Sequence, residues 1–573
     1  MIDRTATAPP HHAFWPARLP KTVTIPEVTL FHNLQVTAMR YPRKDAAVFL
    51  GRSITFGDLH RQALAVGAWL VAHGLQPGDR VALFMQNCPQ FLVAFHAVQA
   101  AGGVVVPVNP MNRADEFGHY ITDPETRVVI CASDLLGVVQ QAQQALEPAQ
   151  RAPEVLVVNY ADALPARRPE HLGVPEALWA AITAPAPEVA PVQGVGVATW
   201  AQALAHQPLA QAVARLPDDL ALLPYTSGTT GLPKGCMHTH RTLMANVVGS
   251  FVHTSQDTVS LAVVPMFHIT GMLYGVLTPM YTGATLVVMP RWDRELAGRL
   301  ISIHQVTVWV CIPTMIIDLF GSPNYKQFDL SSLMVLAGGG AAMPQAVAQR
   351  LLDEFKLKFA EGYGLTETAA PSHSNPPDRP KLQCLGIPIF GVDSRIIDPQ
   401  SLQELPQGES GEIVTHGPMV FKGYWKHPEA TEQAFVELEG KRFFRTGDLG
   451  RIDEDGYFFI TDRLKRMINA SGFKVWPTEV ELLLYKCPLV LEACIISAKD
   501  AYRGETVKAV VVPRPQAREQ ATERAIIEWA REHMAAYKVP RMVRFVDRLP
   551  KSGSGKVMWR LLQEEEDRLA PGS

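Results

Sequence analysis

The residues of this chain best suited to chemistry lie in a glycine- and hydroxyl-rich stretch at residues 225–235, which reads Tyr-Thr-Ser-Gly-Thr-Thr-Gly-Leu-Pro-Lys-Gly. Glycine lets backbone N–H groups approach a ligand closely, and hydroxyl groups add hydrogen-bond donors with little bulk. Because Lys234 adds a positive charge near the end of the stretch, the loop suits a polyphosphate. It is not a Walker A loop, since Leu and Pro separate Gly231 from Lys234. A glycine-rich loop taken alone is more often a flexible turn.

A second stretch, residues 361–367, reads Glu-Gly-Tyr-Gly-Leu-Thr-Glu. Tyr363 offers a flat face to a purine, Thr366 a donor to phosphate and Glu367 a hard oxygen ligand to Mg²⁺. His268 follows an apolar strand, where a lone histidine is more often a core residue than a ligand. The three glycines at 338–340 would ordinarily mark a strand-to-helix turn.

Two charged residues occupy loops closer to the C-terminus. Asp448 ends the run Phe-Arg-Thr-Gly-Asp, and an aspartate in a turn is normally structural. Lys556 lies in the run Lys-Ser-Gly-Ser-Gly-Lys-Val at residues 551–557, where a lysine is normally just solvated. A mobile ammonium group could nevertheless neutralise charge on an attacked phosphate, which can lower a barrier by roughly a few kcal/mol.

Residues 225–235 resemble the phosphate-binding signature of the adenylate-forming enzymes, which include acyl- and aryl-CoA synthetases, peptide-synthetase adenylation domains and luciferases. Seven motifs of that family occur in the family's order between about residue 30 and about residue 565. The resemblance leaves out the first twenty-odd residues and residues 160–208. This order makes chance agreement very unlikely, and the chain is identified as a member of the family, most similar in texture to bacterial fatty-acyl-CoA synthetases.

The resemblance implies a role for each matching residue. The implied nucleotide-binding residues are Thr226, Ser227, Gly228, Thr229, Thr230, Lys234, Gly339, Gly340, Tyr363, Asp448 and Arg463. The implied catalytic residues are Lys556, His268, Thr366 and Glu367, with Glu367 and Thr226 also implied as ligands of Mg²⁺. Lys465 is the implied hinge between domains, and Gly472 and Phe473 are implied to line the CoA tunnel. The expected acyl pocket is apolar and comprises Phe267, Ile269, Met272 and Ile312.

Composition narrows the class of protein. At 573 residues the chain exceeds what one core usually supports, so at least two domains are expected. A net charge of −3 gives no electrostatic case for binding nucleic acid or an anionic membrane surface. The seven cysteines lack CxxC spacing, which favours reduced thiols in a cytoplasm over a zinc site. There is no apolar segment typical of a signal peptide or a membrane span, so a cytoplasmic protein is expected, with loose membrane contact left open.

The order of apolar runs predicts the fold class. Short continuous apolar strands separated by helices from residue 30 onward indicate parallel α/β sheets covered on both faces. Residues 394–417 are β-rich and predict a small barrel-like subdomain, and the C-terminal part predicts a small, mobile α+β domain. We expect an N-terminal extension at 1–29, an adenylation domain at 30–462 and a C-terminal domain at 463–573. Residues 160–208, rich in Ala and Pro, predict a surface insertion or linker.

The expected reaction has two steps, in which a carboxylic acid and ATP·Mg²⁺ form an acyl-adenylate and CoA then displaces AMP. Because the stretch directly after His268 contains no Asp or Glu that could pair with an α-amino group, amino-acid activation is disfavoured. A medium- or long-chain fatty acid is the first expectation and an aryl acid of the cinnamate or benzoate type the second. A carrier-protein-loading adenylation module, a luciferase-type oxygenase and a non-catalytic acyl-binding protein are weaker alternatives. ATP, Mg²⁺ and CoA are expected, without zinc, flavin or NAD, and the family makes a homodimer conceivable.

Overall fold

A computed structural model of the chain describes residues 10–16, 19–226, 232–251, 254–339, 343–376, 379–463, 466, 468–470, 473–475, 477–500, 504–551 and 557–569. Its contacts divide the chain into two compact units. The first comprises Met1–Asp393 and Thr415–Phe444, and the second comprises Ser394–Val414 and Arg445–Ser573. This division differs from the expected boundary at 462/463, because β-rich segments ahead of that point make their contacts within the second unit.

The first unit alternates strands and helices, as the apolar runs predict. Its strands are β1 (Asp45–Phe49), β2 (Arg52–Thr55), β3 (Arg80–Phe84), β4 (Val104–Pro107), β5 (Thr126–Ala132), β6 (Glu154–Val158), β7 (Gly196–Thr199), β8 (Leu220–Leu222), β9 (Tyr225–Thr226), β10 (Lys234–Gly235), β11 (His238–Thr239), β12 (Val259–Ala262), β13 (Thr285–Val288), β14 (Val308–Cys311), β15 (Val335–Gly339), β16 (Phe359–Leu365), β17 (Ala370–Ser374) and β18 (Ile387–Pro388). Its helices are α1 (Leu30–Arg40), α2 (Phe56–Ala72), α3 (Pro89–Ala100), α4 (Ala114–Thr122), α5 (Leu136–Ala145), α6 (Glu176–Thr183), α7 (Trp200–Leu204), α8 (His240–Phe251), α9 (Ile269–Met272), α10 (Thr278–Thr282), α11 (Arg294–His304), α12 (Pro313–Phe320) and α13 (Gln345–Phe355).

Two large sheets carry these elements. Within the described residues, one has nine strands in the order β18-β17-β16-β15-β14-β12-β13-β1-β2, and the other has seven in the order β11-β8-β4-β3-β5-β6-β7. The central strands of both sheets pair in parallel, which confirms the predicted α/β class. Helix α3 lies inside the core, since all of its residues from Pro89 to Ala100 are buried. An apolar helix of that kind can only be stable inside a core.

Residues 160–208, predicted to form a surface insertion or linker, are mostly exposed but are anchored in the seven-stranded sheet and in the core. Strand β7 of this segment pairs in parallel with β6 and forms the edge of the seven-stranded sheet in the described chain. Leu172 and Trp200 are buried, at 0% and 3% exposure, in the main core of the first unit. The sequence does not predict that these side chains belong to the core, because they are single apolar residues in an Ala- and Pro-rich segment without a helical or alternating period.

The remaining strands and helices lie from residue 393 onward and include all those of the second unit. They are β19 (Asp393–Ile397), β20 (Gly411–His416), α14 (Pro428–Gln433), β21 (Phe435–Leu438), β22 (Lys441–Ile452), β23 (Phe458–Arg463), β24 (Ile468–Ala470), β25 (Phe473–Val475), α15 (Pro477–Leu484), β26 (Val490–Asp500), β27 (Gly504–Pro513), α16 (Glu523–His533), β28 (Met542–Phe545) and α17 (Trp559–Leu569). In the second unit, β26 and β27 form a long antiparallel pair and β28 joins β27 in parallel. Its apolar core packs α15 and α16 against this sheet, which confirms the predicted α+β character.

Across the described ranges, no helix is both long enough and apolar enough to cross a membrane.

Candidate active site

The residues expected to bind substrate follow adjacent parallel strands of the nine-stranded sheet. β12, β14, β15 and β16 are neighbours in that order and all run in parallel. His268 lies in the segment after β12, Ile312 directly follows β14, Gly339 ends β15, and Tyr363 lies in the last part of β16. Because the carboxyl ends of parallel strands share one sheet edge, these side chains belong to one edge of the sheet. Open α/β sheets bind ligands at that edge.

The expected phosphate loop begins and ends in a short hairpin. Thr226 of β9 faces Lys234 of β10, and Tyr225 faces Gly235, in antiparallel register. Ser227, Gly228, Thr229 and Thr230 lie outside the described residues. The pairing of β9 with β10 therefore fixes the distance between the two ends of the loop. Lys234 belongs to the second of these strands.

Tyr424 links the lysine of this hairpin to the expected magnesium ligand. Its hydroxyl group donates to Oε1 of Glu367 at 2.9 Å, and Nζ of Lys234 lies 5.6 Å from the centre of its ring. Glu367 is 8% exposed, and its backbone oxygen accepts a hydrogen bond from the N–H of Phe421 at 2.8 Å. Burial and the neighbouring Glu367 raise the pKa of Tyr424, so its hydroxyl remains a donor to that carboxylate. One aromatic side chain thus brings two motifs together.

Two buried polar side chains fix the turn that carries Thr366 and Glu367. His238 donates from Nε2 to the backbone oxygen of Thr366 at 2.7 Å, and burial lowers its pKa to about 4. The neutral imidazole is therefore the form present at neutral pH. Asn246 of α8 donates to the backbone oxygens of Thr368 and Ala369 at 3.0 and 2.8 Å. Such orienting contacts hold a site within narrow geometric limits.

Close approach between strands explains the two glycines at the end of β15. A Cβ atom on Gly338 would lie 1.7 Å from the backbone oxygen of Cys311, and one on Gly339 would lie 2.2 Å from that of Gly362. No side chain can be accommodated at those distances. Packing between strands therefore requires glycine at both positions, and Gly340 lies outside the described residues.

Glu361 is a buried carboxyl group beside these glycines. It is 7% exposed and accepts from the N–H of Gln383 at 3.2 Å, with a further backbone hydrogen bond from Met343. Burial raises its pKa from the usual 4.5 to about 7, and the two backbone donors only partly oppose that shift. The carboxyl group therefore ties the segment after β15 to the connection between β17 and β18.

The raised pKa of Glu361 predicts a pH-dependent contribution to stability. The folded chain holds this proton more tightly than the unfolded chain, so the free energy of unfolding falls as pH rises from about 4.5 to about 7. We expect Glu361→Gln to remove that decrease, gaining up to about 3 kcal/mol relative to the native chain across this interval. The free energy of unfolding of the native chain and of Glu361→Gln is measured by denaturant unfolding between pH 4.5 and pH 8. Parallel stability curves would contradict the assignment.

His268 directly precedes helix α9 as its N-cap residue. The segment before His268 is held by Asn87, which follows β3 of the seven-stranded sheet. Asn87 donates to the backbone oxygen of Val264 at 3.1 Å and accepts from the N–H of Met266 at 2.7 Å. The His268 Nδ1 atom accepts a hydrogen bond from the N–H of Thr270 at 3.4 Å. The His268 residue is half-buried. Of the expected acyl-pocket residues, Ile269 and Met272 are buried and Phe267 and Ile312 are half-buried. The helix then continues as a π-helical turn, Leu273–Leu277, a distortion often found at functional sites.

The other expected site residues belong to the second unit. Asp448 is 1% exposed in β22, and its N–H donates to the hydroxyl of Thr446 at 3.1 Å. The part of β22 just before Asp448 is held by Glu412, which accepts from Arg445 at 2.7 Å and from the N–H of Gly447 at 3.1 Å. Arg463 and Phe473 are described for their backbones, in β23 and β25, whereas Lys465, Gly472 and Lys556 lie outside the described residues.

Sequence reasoning missed the residues that hold the site together. Tyr424, His238, Asn246 and Asn87 each contact a motif far away in sequence, so no local spacing points to them. Only Tyr424 has a recognisable signal, the run Phe-Lys-Gly-Tyr-Trp at residues 421–425. The glycine of that run has a φ of +141°, and its Cβ would lie 2.5 Å from Thr431, which marks a constrained turn.

Comparison with known proteins gives a family for most of the chain. The family model described as AMP-binding enzyme matches residues 34–425, and that of the AMP-binding enzyme C-terminal domain matches residues 479–556. A long-chain-fatty-acid–CoA ligase of Bacillus subtilis (strain 168) is 34% identical over 565 residues, covering 97% of this chain and 98% of the relative. A feruloyl-CoA synthase of an Amycolatopsis species is 34% identical, covering 90% and 95%.

Solved structures share the fold over nearly the whole chain. The crystal structure of ATP-bound MatB from Rhodopseudomonas palustris superposes with a TM-score of 0.79 at 29% identity, covering 95% of this chain and 100% of that one. The family and these relatives support an enzyme of the acyl-CoA ligase type, with the acid left open. The chain therefore belongs to the AMP-binding enzyme family.

Proposed function

We propose that this enzyme is a long-chain-fatty-acid–CoA ligase, which converts a medium- or long-chain fatty acid, ATP and CoA into acyl-CoA, AMP and pyrophosphate. In the first step a carboxylate oxygen attacks the α-phosphate of ATP, and the bond to the β-phosphate breaks to release pyrophosphate. In the second step the CoA sulfur attacks the acyl carbon, AMP leaves with that oxygen, and the thiol loses its proton.

The observation that carries the proposal is the convergence of Lys234 and Glu367 on Tyr424. A cation for phosphate lies near the ring of one tyrosine and a carboxylate for a metal ion lies at its hydroxyl group, beside the hairpin expected to cradle phosphates. Phosphoryl transfer depends mainly on positioning and charge, and this arrangement supplies both without a protein nucleophile.

The residues present fit a magnesium ion held together with a nucleotide. The described ranges contain no cluster of three or more His, Cys, Asp or Glu side chains that could hold a metal ion by themselves. Magnesium usually binds one or two carboxylates plus substrate phosphates, and Glu367 is a buried carboxylate of that kind. Glu367, together with the hydroxyl of Thr226, would hold the ion, which when bound withdraws charge from the phosphate oxygens.

The roles proposed for the other residues are those that the resemblance to the family implies. Thr366 donates a hydrogen bond to phosphate, Tyr363 stacks on the adenine, and His268 forms one wall of the carboxylate site. Asp448 accepts from the ribose hydroxyls, and Lys556 places its ammonium against the α-phosphate while pyrophosphate leaves. Lys465 supports rotation of the small domain, after which Gly472 and Phe473 admit CoA.

The apolar character of the acyl site supports a fatty acid. Phe267, Ile269, Met272 and Ile312 offer no charged group, and an alkyl chain gains about 0.8 kcal/mol for each buried CH₂. The relative from Bacillus subtilis, which covers nearly the full chain, is named for long-chain fatty acids. An aryl acid is the second candidate, because the feruloyl-CoA synthase relative is equally identical.

A panel of acids tests the proposal. Straight-chain acids of increasing length, cinnamate, ferulate and benzoate are each supplied with ATP, Mg²⁺ and CoA, and AMP formation is followed. We expect CoA-dependent AMP formation with kcat/KM highest for medium or long chains. Higher kcat/KM for an aromatic acid would favour the second candidate. No AMP formation with any acid, despite ATP binding, would overturn the proposal.

A further inference from the structure

Helix α4 contacts both legs of the hairpin that carries the expected phosphate loop. Nε2 of His119 donates to the backbone oxygen of Pro233 at 2.7 Å, directly before β10. At the end of the same helix, Asp123 accepts from the hydroxyl of Tyr225 at 2.5 Å, in β9. His119 and Asp123 are one helical turn apart, so a single rigid element touches the chain on either side of the loop.

Aromatic packing accompanies these two hydrogen bonds. The ring of Tyr225 lies 4.9 Å from that of Tyr120 and 5.7 Å from that of His119, measured between centroids. Burial and the hydrogen bond to Asp123 raise the pKa of Tyr225, so its hydroxyl stays protonated and donates. The first leg of the hairpin is thus fixed in both position and hydrogen-bonding state.

A third connection reaches the hairpin through Trp425. Its indole Nε1 donates to the backbone oxygen of Asp123 at 3.1 Å, and its backbone N–H donates to that of Gly235 at 2.8 Å. The guanidinium group of Arg80 lies 5.5 Å from the Trp425 ring. The end of α4 and the second leg of the hairpin are therefore joined twice, directly and through this tryptophan.

The helix itself has little freedom to move. Phe117 and Ile121 are fully buried, and the ring of Phe117 lies 4.4 Å from that of Phe84 in the adjacent sheet. Because interiors are close-packed, a helix fixed in this way transmits its position to whatever it holds. The hydrogen bonds of His119 and Asp123 are made by its outward side chains, which none of the sequence motifs includes.

We propose that His119 and Asp123 are positioning residues for ATP, holding strands β9 and β10 so that Thr226 and Lys234 are in place for the phosphates of the nucleotide. This inference rests on the proposed function only in taking residues 225–235 as the phosphate loop. Neither side chain touches the reacting atoms. Because pyrophosphate has left before CoA reacts, the clamp is needed for ATP binding and adenylation and not for thioester formation.

Two variants release one leg each, and one variant tests for rescue. His119→Ala removes the donor to Pro233, and Tyr225→Phe removes the donor to Asp123. Each should weaken ATP binding about tenfold, the effect of one hydrogen bond. His119→Gln keeps an N–H donor and should recover most of the loss. Thr126→Val is the matched control, because its hydroxyl bonds the same helix at the backbone oxygen of Tyr120, 2.6 Å away, without touching the hairpin.

Three measurements separate positioning from general destabilisation. The Kd for ATP·Mg²⁺ is measured by calorimetry without any acid, KM for ATP in adenylation, and the rate of acyl-CoA formation from supplied acyl-adenylate and CoA. We expect Kd and KM for ATP to rise in His119→Ala and Tyr225→Phe, with the CoA step within twofold of native. Thr126→Val should leave the Kd for ATP unchanged.

The outcomes also distinguish this inference from the proposed function. Unchanged ATP affinity in both hairpin variants, an equal loss in Thr126→Val, or an equal loss of the CoA step would overturn the clamp. If native protein binds ATP but forms no AMP with any acid, the proposed function fails while the Kd comparison still decides the clamp. Should Tyr225→Phe fold poorly, the pair His119→Ala and His119→Gln carries the same test.

Discussion

Lys556→Ala is expected to slow carboxylate-dependent pyrophosphate release by about a hundredfold to a thousandfold, the effect of removing one preorganised charge from a transition state. The same variant should largely retain thioester formation from supplied acyl-adenylate and CoA. The reason is that the ammonium group offsets charge on the α-phosphate only while pyrophosphate leaves. Single-turnover assays of the two half-reactions measure both rates.

Lys486→Ala is the matched control for that experiment. It removes the same charge from an exposed position of the second unit, where the side chain has no expected role. Both half-reactions should stay within twofold of the native rates. An equal loss of both steps in Lys556→Ala would contradict the assigned role, as would an equal effect of Lys486→Ala.

The second large effect is expected for Glu367→Gln. The substitution keeps the size of the side chain and removes the negative charge proposed to hold magnesium with the nucleotide. Adenylation should fall by about a hundredfold or more at physiological Mg²⁺, and the Mg²⁺ concentration giving half-maximal rate should rise.

Tyr424→Phe is a milder variant that tests the same assignment of Glu367. It removes the hydroxyl that donates to Glu367 and leaves the ring beside Lys234 in place. Loss of such an orienting partner typically costs about tenfold to a hundredfold, so we expect a smaller loss than in Glu367→Gln, with the same shift in Mg²⁺ dependence. A Mg²⁺ dependence that neither variant alters would contradict the assignment of Glu367.

The parallel α/β sheets could be predicted because buried parallel strands need continuous apolar runs. The apolar run at residues 259–264 contains β12, and β1 and β2 form an antiparallel hairpin closed by Leu50 and Gly51. Helix α2 ends before Gly74, whose φ of +83° is the left-handed conformation expected of a helix end. These features depend on local composition and period, which a single sequence contains.

The contacts that hold the candidate site could not be predicted in this way. Tyr424 and Glu367 are separated by 57 residues, and His119 and Pro233 by 114, so no periodicity relates them. Their meeting depends on which strands become neighbours, which the sequence alone does not specify. The anchoring of the Ala- and Pro-rich segment that includes Trp200 could not be predicted for a related reason, since β7 joins a sheet formed by distant strands.

The central claim is that a carboxylate oxygen becomes bonded to the α-phosphate of ATP, and isotope transfer tests it most directly. A fatty acid labelled with ¹⁸O in both carboxylate oxygens is converted with ATP and CoA, and the products are analysed by mass spectrometry. The account predicts one ¹⁸O atom in AMP, one in the acyl-CoA carbonyl and none in pyrophosphate. Label in pyrophosphate or in inorganic phosphate, or AMP formed without label, would contradict it.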